Sequence, residues 1–178
     1  QVMLRKIFSI TLVTVVGLSI LWFGTDGLKA FTAEKARILE LEREQPMLPS
    51  ASLTDSNGQN ILLEEIRGKY VLLTFMYTGC ADMCPILETN FAEIYEGIPN
   101  TLLGKEVILM SISFDPERDN PKMLKTYANA FGADEETWKM VTIQDQQELQ
   151  NLLDSLEVVV IPNKFGGYEH NAAFYVIN

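Results

Sequence analysis

Two runs, "GKYVLLTFMY" (68–77) and "EVILMSISF" (106–114), constrain the fold of this chain more than any other feature. Both are apolar almost without interruption, the pattern of strands buried on two faces and not of strands with one wet face. Between them "PILETNFAEIYEGI" sets Ile86, Phe91, Ile94 and Tyr95 at helical spacing. Strand, helix and strand in this order predict a β-α-β unit with two parallel, centrally buried strands.

The flanking sequence extends this unit. "ASLTDSNGQNILL" places Asn57-Gly58 between two short apolar stretches, a hairpin signal. "NPKMLKTYANAFG" predicts a helix with Pro121 near its start and Gly132 past its end. A short strand at "KMVTI", a helix at "DQQELQNLLDSL" and a last strand at "AAFYVIN" follow. A hairpin followed by β-α-β-α-β-α-β is the arrangement of an α/β, thioredoxin-like fold. The 178 residues and their 47% apolar share suffice for one domain with a real core, so disulfide staples are not needed for folding.

Both cysteines lie in "YTGCADMCP", directly after the first buried run, at the C-terminal end of a strand where open α/β sheets place their sites. With Pro85 expected at the first helical position, Cys84 falls near the N-cap and Cys80 in the loop before it. The partial positive charge of a helix N-terminus favours thiolate, so both sulfurs are expected to be reactive. Three uses remain open at this point: an idle buried pair, a redox pair spaced one residue wider than the commoner C-x-x-C, or part of a metal site that needs further ligands. A lone histidine is by default a surface or satisfied core residue. His170, the chain's one histidine, directly precedes the last strand, whose start in this fold lies beside the cysteine-bearing helix. Two thiolates and one imidazole suit Cu(I) better than structural zinc, which takes four ligands.

At the other end of the chain, "IFSITLVTVVGLSILWFG" (7–24) has no charge and follows Arg5 and Lys6. It is near the minimum of about 18 to 20 apolar residues for a transmembrane helix and predicts an N-in anchor. A cleaved signal, which needs a shorter apolar region and a small-x-small site, and a buried soluble helix fit less well. The expected organisation is an anchor (1–27), a juxtamembrane helix and linker (28–50) and the thioredoxin-like domain (51–178). Residues 1–45 carry six Lys and Arg against five Asp and Glu, and the remainder eight against nineteen. That acidic remainder repels nucleic acid and can steer a basic partner or a cation.

Taken together, "FMYTGCADMCP", the D-P-x-R-D run in "SISFDPERDNPKMLKTYANAFG" and the downstream histidine resemble the Sco/SenC family over nearly all of residues 50–178. The resemblance implies a membrane-anchored, copper-binding factor that helps assemble the CuA centre of cytochrome c oxidase. Its partners would be the oxidase's copper-binding subunit, a copper donor protein and membrane lipid. It implies Cys80, Cys84 and His170 as ligands for Cu(I) and for Cu(II). It gives Asp115 and Asp119 a supporting place beside the ligands or a part in partner docking, although Asp115-Pro116 also reads as a turn and Asp119 or Asn120 as a helix cap. Met83 is either a thioether donor or an exposed loop methionine. The chain departs from the family in Glu169-His170-Asn171, where Ser or Thr usually follows the histidine and Asp often precedes it, and in stopping at Asn178, where relatives continue and a C-terminal truncation is expected.

The leading expectation is therefore a copper metallochaperone outside the cytoplasm, on a bacterial cell membrane in preference to a mitochondrial inner membrane. The alternative is a thiol-disulfide oxidoreductase that keeps oxidase cysteines reduced, which needs Cys80 and Cys84 but not His170. A peroxide-consuming enzyme of the same fold, with Thr78 supporting a thiolate, is a third.

Overall fold

The computed structural model describes residues 2–178 and divides into two compact units, Gln1–Met47 and Leu48–Asn178. In the first, α1 (Val2–Gly24) exposes its side chains from Met3 onward. The 22 residues from Met3 to Gly24 form a candidate membrane span by length and composition. At about 1.5 Å per residue they reach about 33 Å, enough for a hydrocarbon core of about 30 Å. The hydroxyls of Thr11, Thr14 and Ser19 donate to carbonyls one turn back, so these polar groups are satisfied within the helix itself. Positive φ at Asp26, Gly27 and Leu28 ends the run. The next helix, α2 (Ala33–Glu44), lies within the stretch 28–50 expected to hold a juxtamembrane helix and linker. Thr32 accounts for the start of this helix: its hydroxyl accepts from the Lys35 N–H as an N-cap.

The second unit is built on a six-stranded sheet in the order β2-β1-β5-β4-β3-β8. Its strands are β1 (Ser52–Asp55), β2 (Asn60–Leu62), β3 (Tyr70–Met76), β4 (Val107–Ser113), β5 (Trp138–Ile143) and β8 (Phe174–Ile177). The three central strands β3, β4 and β5 run parallel, with Tyr70 opposite Val107 and Leu109 opposite Trp138. The apolar runs 68–77 and 106–114 form β3 and β4, and both are central. β1 and β8 flank the parallel core antiparallel to β5 and β3. The expected hairpin joins β1 to β2, with Gly58 at φ 79° and the Asp55 carboxylate accepting from the N–H groups of Asn57 and Gln59.

The helices are α3 (Met83–Gly97), α4 (Pro121–Phe131) and α5 (Gln146–Ser155). Asn120 caps α4 by accepting from Met123 N–H, Pro121 occupies the first turn, and Gly132 closes the helix at φ 80°. Of the two caps the sequence offered, Asn120 is used and Asp119 is left for other partners. Phe91 of α3 joins the layers: its ring meets Trp138 edge-on at 5.4 Å and stacks on Phe174 at 5.3 Å. The main departure from the expected topology is a separate two-stranded sheet, β6 (Val160–Pro162) with β7 (Tyr168–His170). His170 closes this hairpin instead of lying in the connection to the last strand.

Candidate functional site

β3 ends at Met76 and the chain turns through Tyr77-Thr78-Gly79-Cys80 before α3 begins. Asp82 is the N-cap of α3, so Met83, Cys84 and Pro85 fill its first three positions and Pro85 stands third, not first as expected. Proline is tolerated there because N–H groups of the first turn have no intrahelical partner. Cys84 moves into the helix and is wholly buried, whereas Cys80 is half-buried at the mouth; both are free thiols.

The two sulfurs therefore differ. Cys80 Sγ accepts from the Cys84 N–H at 3.3 Å. Burial opposes charge on Cys80, but the Cys84 thiol and the backbone N–H groups of Cys84, Asp82 and Met83 outweigh it and hold the Cys80 thiol below its ordinary range. For Cys84 burial is the largest influence, the hydrogen bond to Cys80 adds to it, and the thiol is pushed well up. Both sulfurs are expected to be reactive from the sequence; here their surroundings pull them apart, the Cys80 thiol losing its proton more readily than the Cys84 thiol.

His170 completes the constellation, its Nε2 lying 3.5 Å from Cys84 Sγ. Its Nδ1 lies 3.2 Å from the Asn171 carbonyl oxygen. A carbonyl only accepts, so that contact puts the proton on Nδ1 and leaves the Nε2 lone pair facing the sulfur. Burial lowers the His170 pKa and the Asn171 carbonyl works the other way, so the neutral ring is favoured near pH 7. Asn171, the residue by which the chain departs from the family pattern, orients the ring through its backbone. Its side chain accepts from Val159 N–H at 2.7 Å and donates to the Glu157 carbonyl at 3.3 Å. Phe114 packs edge-on to the imidazole, with ring centroids 5.1 Å apart.

Asp119 holds the cysteine loop and Tyr77 the hairpin. Asp119 is wholly buried and accepts from the Thr78 N–H at 2.9 Å, the Thr78 hydroxyl and the Ser113 hydroxyl. The Thr78 hydroxyl, proposed above as a thiolate support, is engaged with this carboxylate. Tyr77 Oη accepts from the Tyr168 N–H at 3.2 Å, and a Cβ on Gly167 would stand 2.8 Å from that oxygen, so glycine allows the close approach. Asp115 pairs with Arg118 in the turn between β4 and α4. Glu88, one turn below Cys84, is a buried residue the sequence did not single out. It accepts from Ser111, and burial raises its pKa to about 7. Met83 is exposed at the start of α3.

Among the described residues no three His, Cys, Asp or Glu side chains stand in metal-holding geometry. Cys84 and His170 face each other, while the Cys80 sulfur is drawn in toward the helix N-terminus. The donor set, two sulfurs and one neutral imidazole nitrogen, fits a soft cation of low coordination number.

Fold and site together define a thioredoxin-like domain with an unequal cysteine pair and a histidine set against its buried member. The SCO1/SenC family model matches residues 41–178, and the chain belongs to that family. A SCO1 protein homolog of Bacillus subtilis (strain 168) is 27% identical over 125 residues, which are 69% of this chain and 64% of that protein. The chain thus spans under two thirds of that relative's length. Among solved structures, Bradyrhizobium japonicum ScoI with copper bound superposes with a TM-score of 0.54 at 28% identity, covering 74% of this chain and 83% of ScoI. BsSco, described as a Sco-family cytochrome c oxidase assembly protein with a disulfide switch, superposes at 0.61 with 25% identity over 74% of this chain and 77% of its own.

Proposed function

We propose that this protein is a membrane-anchored copper metallochaperone that holds copper between Cys80, Cys84 and His170 and passes it to the CuA centre of cytochrome c oxidase. The observation that carries the reading is the 3.5 Å approach of the unprotonated His170 nitrogen to Cys84, next to a thiolate-favouring Cys80. A copper-bound relative in the same family supports it. Copper is cargo here, moved by exchange of ligands. Loading Cu(I) releases the proton of each cysteine that still carries one, and the Cys80 thiol gives its proton up more readily than Cys84. The full chain, reduced and loaded without oxygen, is expected to hold one copper per chain after removal of loose metal, measured by elemental analysis. Metal content near zero would sink the reading.

A second reading rests on the same unequal pair. An accessible thiolate beside a buried thiol at a helix start is what dithiol exchange uses, so the protein can also reduce oxidase cysteines. Both roles need the domain outside the cytoplasm of a bacterial cell. With α1 as an N-in anchor, protease added to intact protoplasts is expected to degrade the domain, and protection until lysis would contradict this topology.

A further inference from the structure

The imidazole rides on a hairpin that the main sheet does not hold: among the described residues β6 and β7 hydrogen-bond as strands to each other alone. Side chains from the body must set its position. Tyr77 fixes the backbone at Tyr168, and Asn171 fixes the far end of β7. The turn of the hairpin is met by Arg118, the arginine of the D-P-x-R-D run. Its Nη1 donates to the Gly166 carbonyl at 2.7 Å, and its guanidinium carbon lies 5.4 Å from the centre of the Tyr168 ring. Its Nε pairs with the buried Asp115 carboxylate at 2.5 Å.

These contacts continue to the cysteine loop. The Asp115 N–H donates to Ser113 Oγ, the Ser113 hydroxyl donates to Asp119, and Asp119 holds Thr78, two residues before Cys80. Arg118 therefore joins the loop that carries Cys80 to the hairpin that carries the imidazole. A guanidinium suits this place because one planar group offers an edge to a carboxylate, another donor to a carbonyl and a face to an aromatic ring; an ammonium cannot serve all three at once.

We propose that Arg118 is a positioning residue that holds His170 opposite Cys84 and so sets how well the site binds the copper state that depends on the imidazole. The proposal rests on the copper reading above. Cu(II) prefers nitrogen donors, whereas Cu(I) is held by two sulfurs, so loosening the hairpin weakens the first more than the second. The Arg118 side chain is 51% exposed, so its removal opens no core cavity.

The test compares Arg118→Ala, Arg118→Lys and His170→Ala in the full chain, reduced and in detergent. Cu(I) and Cu(II) affinities come from competition with chelators, and backbone protection from amide hydrogen exchange. Arg118→Ala is expected to weaken Cu(II) about tenfold, the scale of losing a group that orients a ligand, with a smaller loss for Cu(I). Arg118→Lys should fall between it and the parent. Amides of residues 163–170 should exchange faster while those of β4 stay protected. Parent-like Cu(II) binding in Arg118→Ala, with binding lost in His170→Ala, overturns the positioning role and leaves the copper reading standing. Parent-like binding in both removes His170 from the site, and the copper reading falls with it. If both copper states are lost equally and β4 loses its protection too, the variant has unfolded generally, and that also overturns the proposal.

Discussion

Treating the reduced chain with diamide is expected to join Cys80 and Cys84 in one intramolecular disulfide and to take bound copper from one per chain to none, with dithiol reduction restoring it. Two thiols surrender two protons and two electrons to the azo group, and a disulfide then offers copper no thiolate. The asymmetry of the pair predicts the order of events. Cys80, whose thiol the helix start makes easier to deprotonate, attacks or is modified first, and Cys84, wholly buried, resolves it. Iodoacetamide at neutral pH should therefore alkylate Cys80 well before Cys84, with the fast phase titrating below the ordinary thiol value of about 8.5. Free thiols and copper are counted on the same samples, and peptide mapping assigns the alkylated residue. Full copper retention in the disulfide form would contradict thiolate ligation, and first alkylation at Cys84 would reverse the assigned roles.

That asymmetry was not legible in the sequence, and the reason is physical. A helix start read from Pro85 gives both sulfurs the same dipole, but the pKa of Cys84 is governed by burial, which depends on what packs over it from distant parts of the chain. Glu88 was hidden for the same reason. A glutamate in a helical pattern reads as solvated, yet this one sits under Cys84 and takes its hydrogen bond from Ser111, inside the second apolar run. What depends on local pattern was readable. β3 and β4 follow from unbroken apolar runs, the Asn57-Gly58 turn from its residues, and the two ends of α4 from Asn120, Pro121 and Gly132. The β6–β7 hairpin escapes a reading of the sequence because its strands are three residues each and bury none of them fully, so neither alternation nor apolar length marks them. Gly166-Gly167 was the available signal, a turn dipeptide four residues before the histidine. The proximity of His170 to the cysteines follows from fold order, whereas its tautomer depends on the Asn171 carbonyl, a contact set by the backbone conformation of the folded chain.

Replacing His170 by alanine is expected to weaken Cu(II) binding by more than about a hundredfold, beyond what losing a merely orienting group costs. The chain has no other histidine to take its place. Two sulfurs and a water or weak oxygen donor then remain, a set that serves the tetragonal, nitrogen-preferring Cu(II) badly. Cu(I) should lose less, because two thiolates can hold it in a linear arrangement. Removing the ring also takes away the contact with Phe114, so amide exchange of β4 is measured alongside to exclude loss of fold. Oxidation and reduction of the cysteine pair should persist in this variant, since the exchange uses the two sulfurs and the N-terminus of α3, with the imidazole at most altering its rate. Copper titration, thiol oxidation and oxidase assembly in cells, read on the same variant, then separate the two proposed roles. Lost Cu(II) binding with failed oxidase assembly supports copper delivery. Lost copper binding with normal assembly favours the reductase, because that activity needs Cys80 and Cys84 alone.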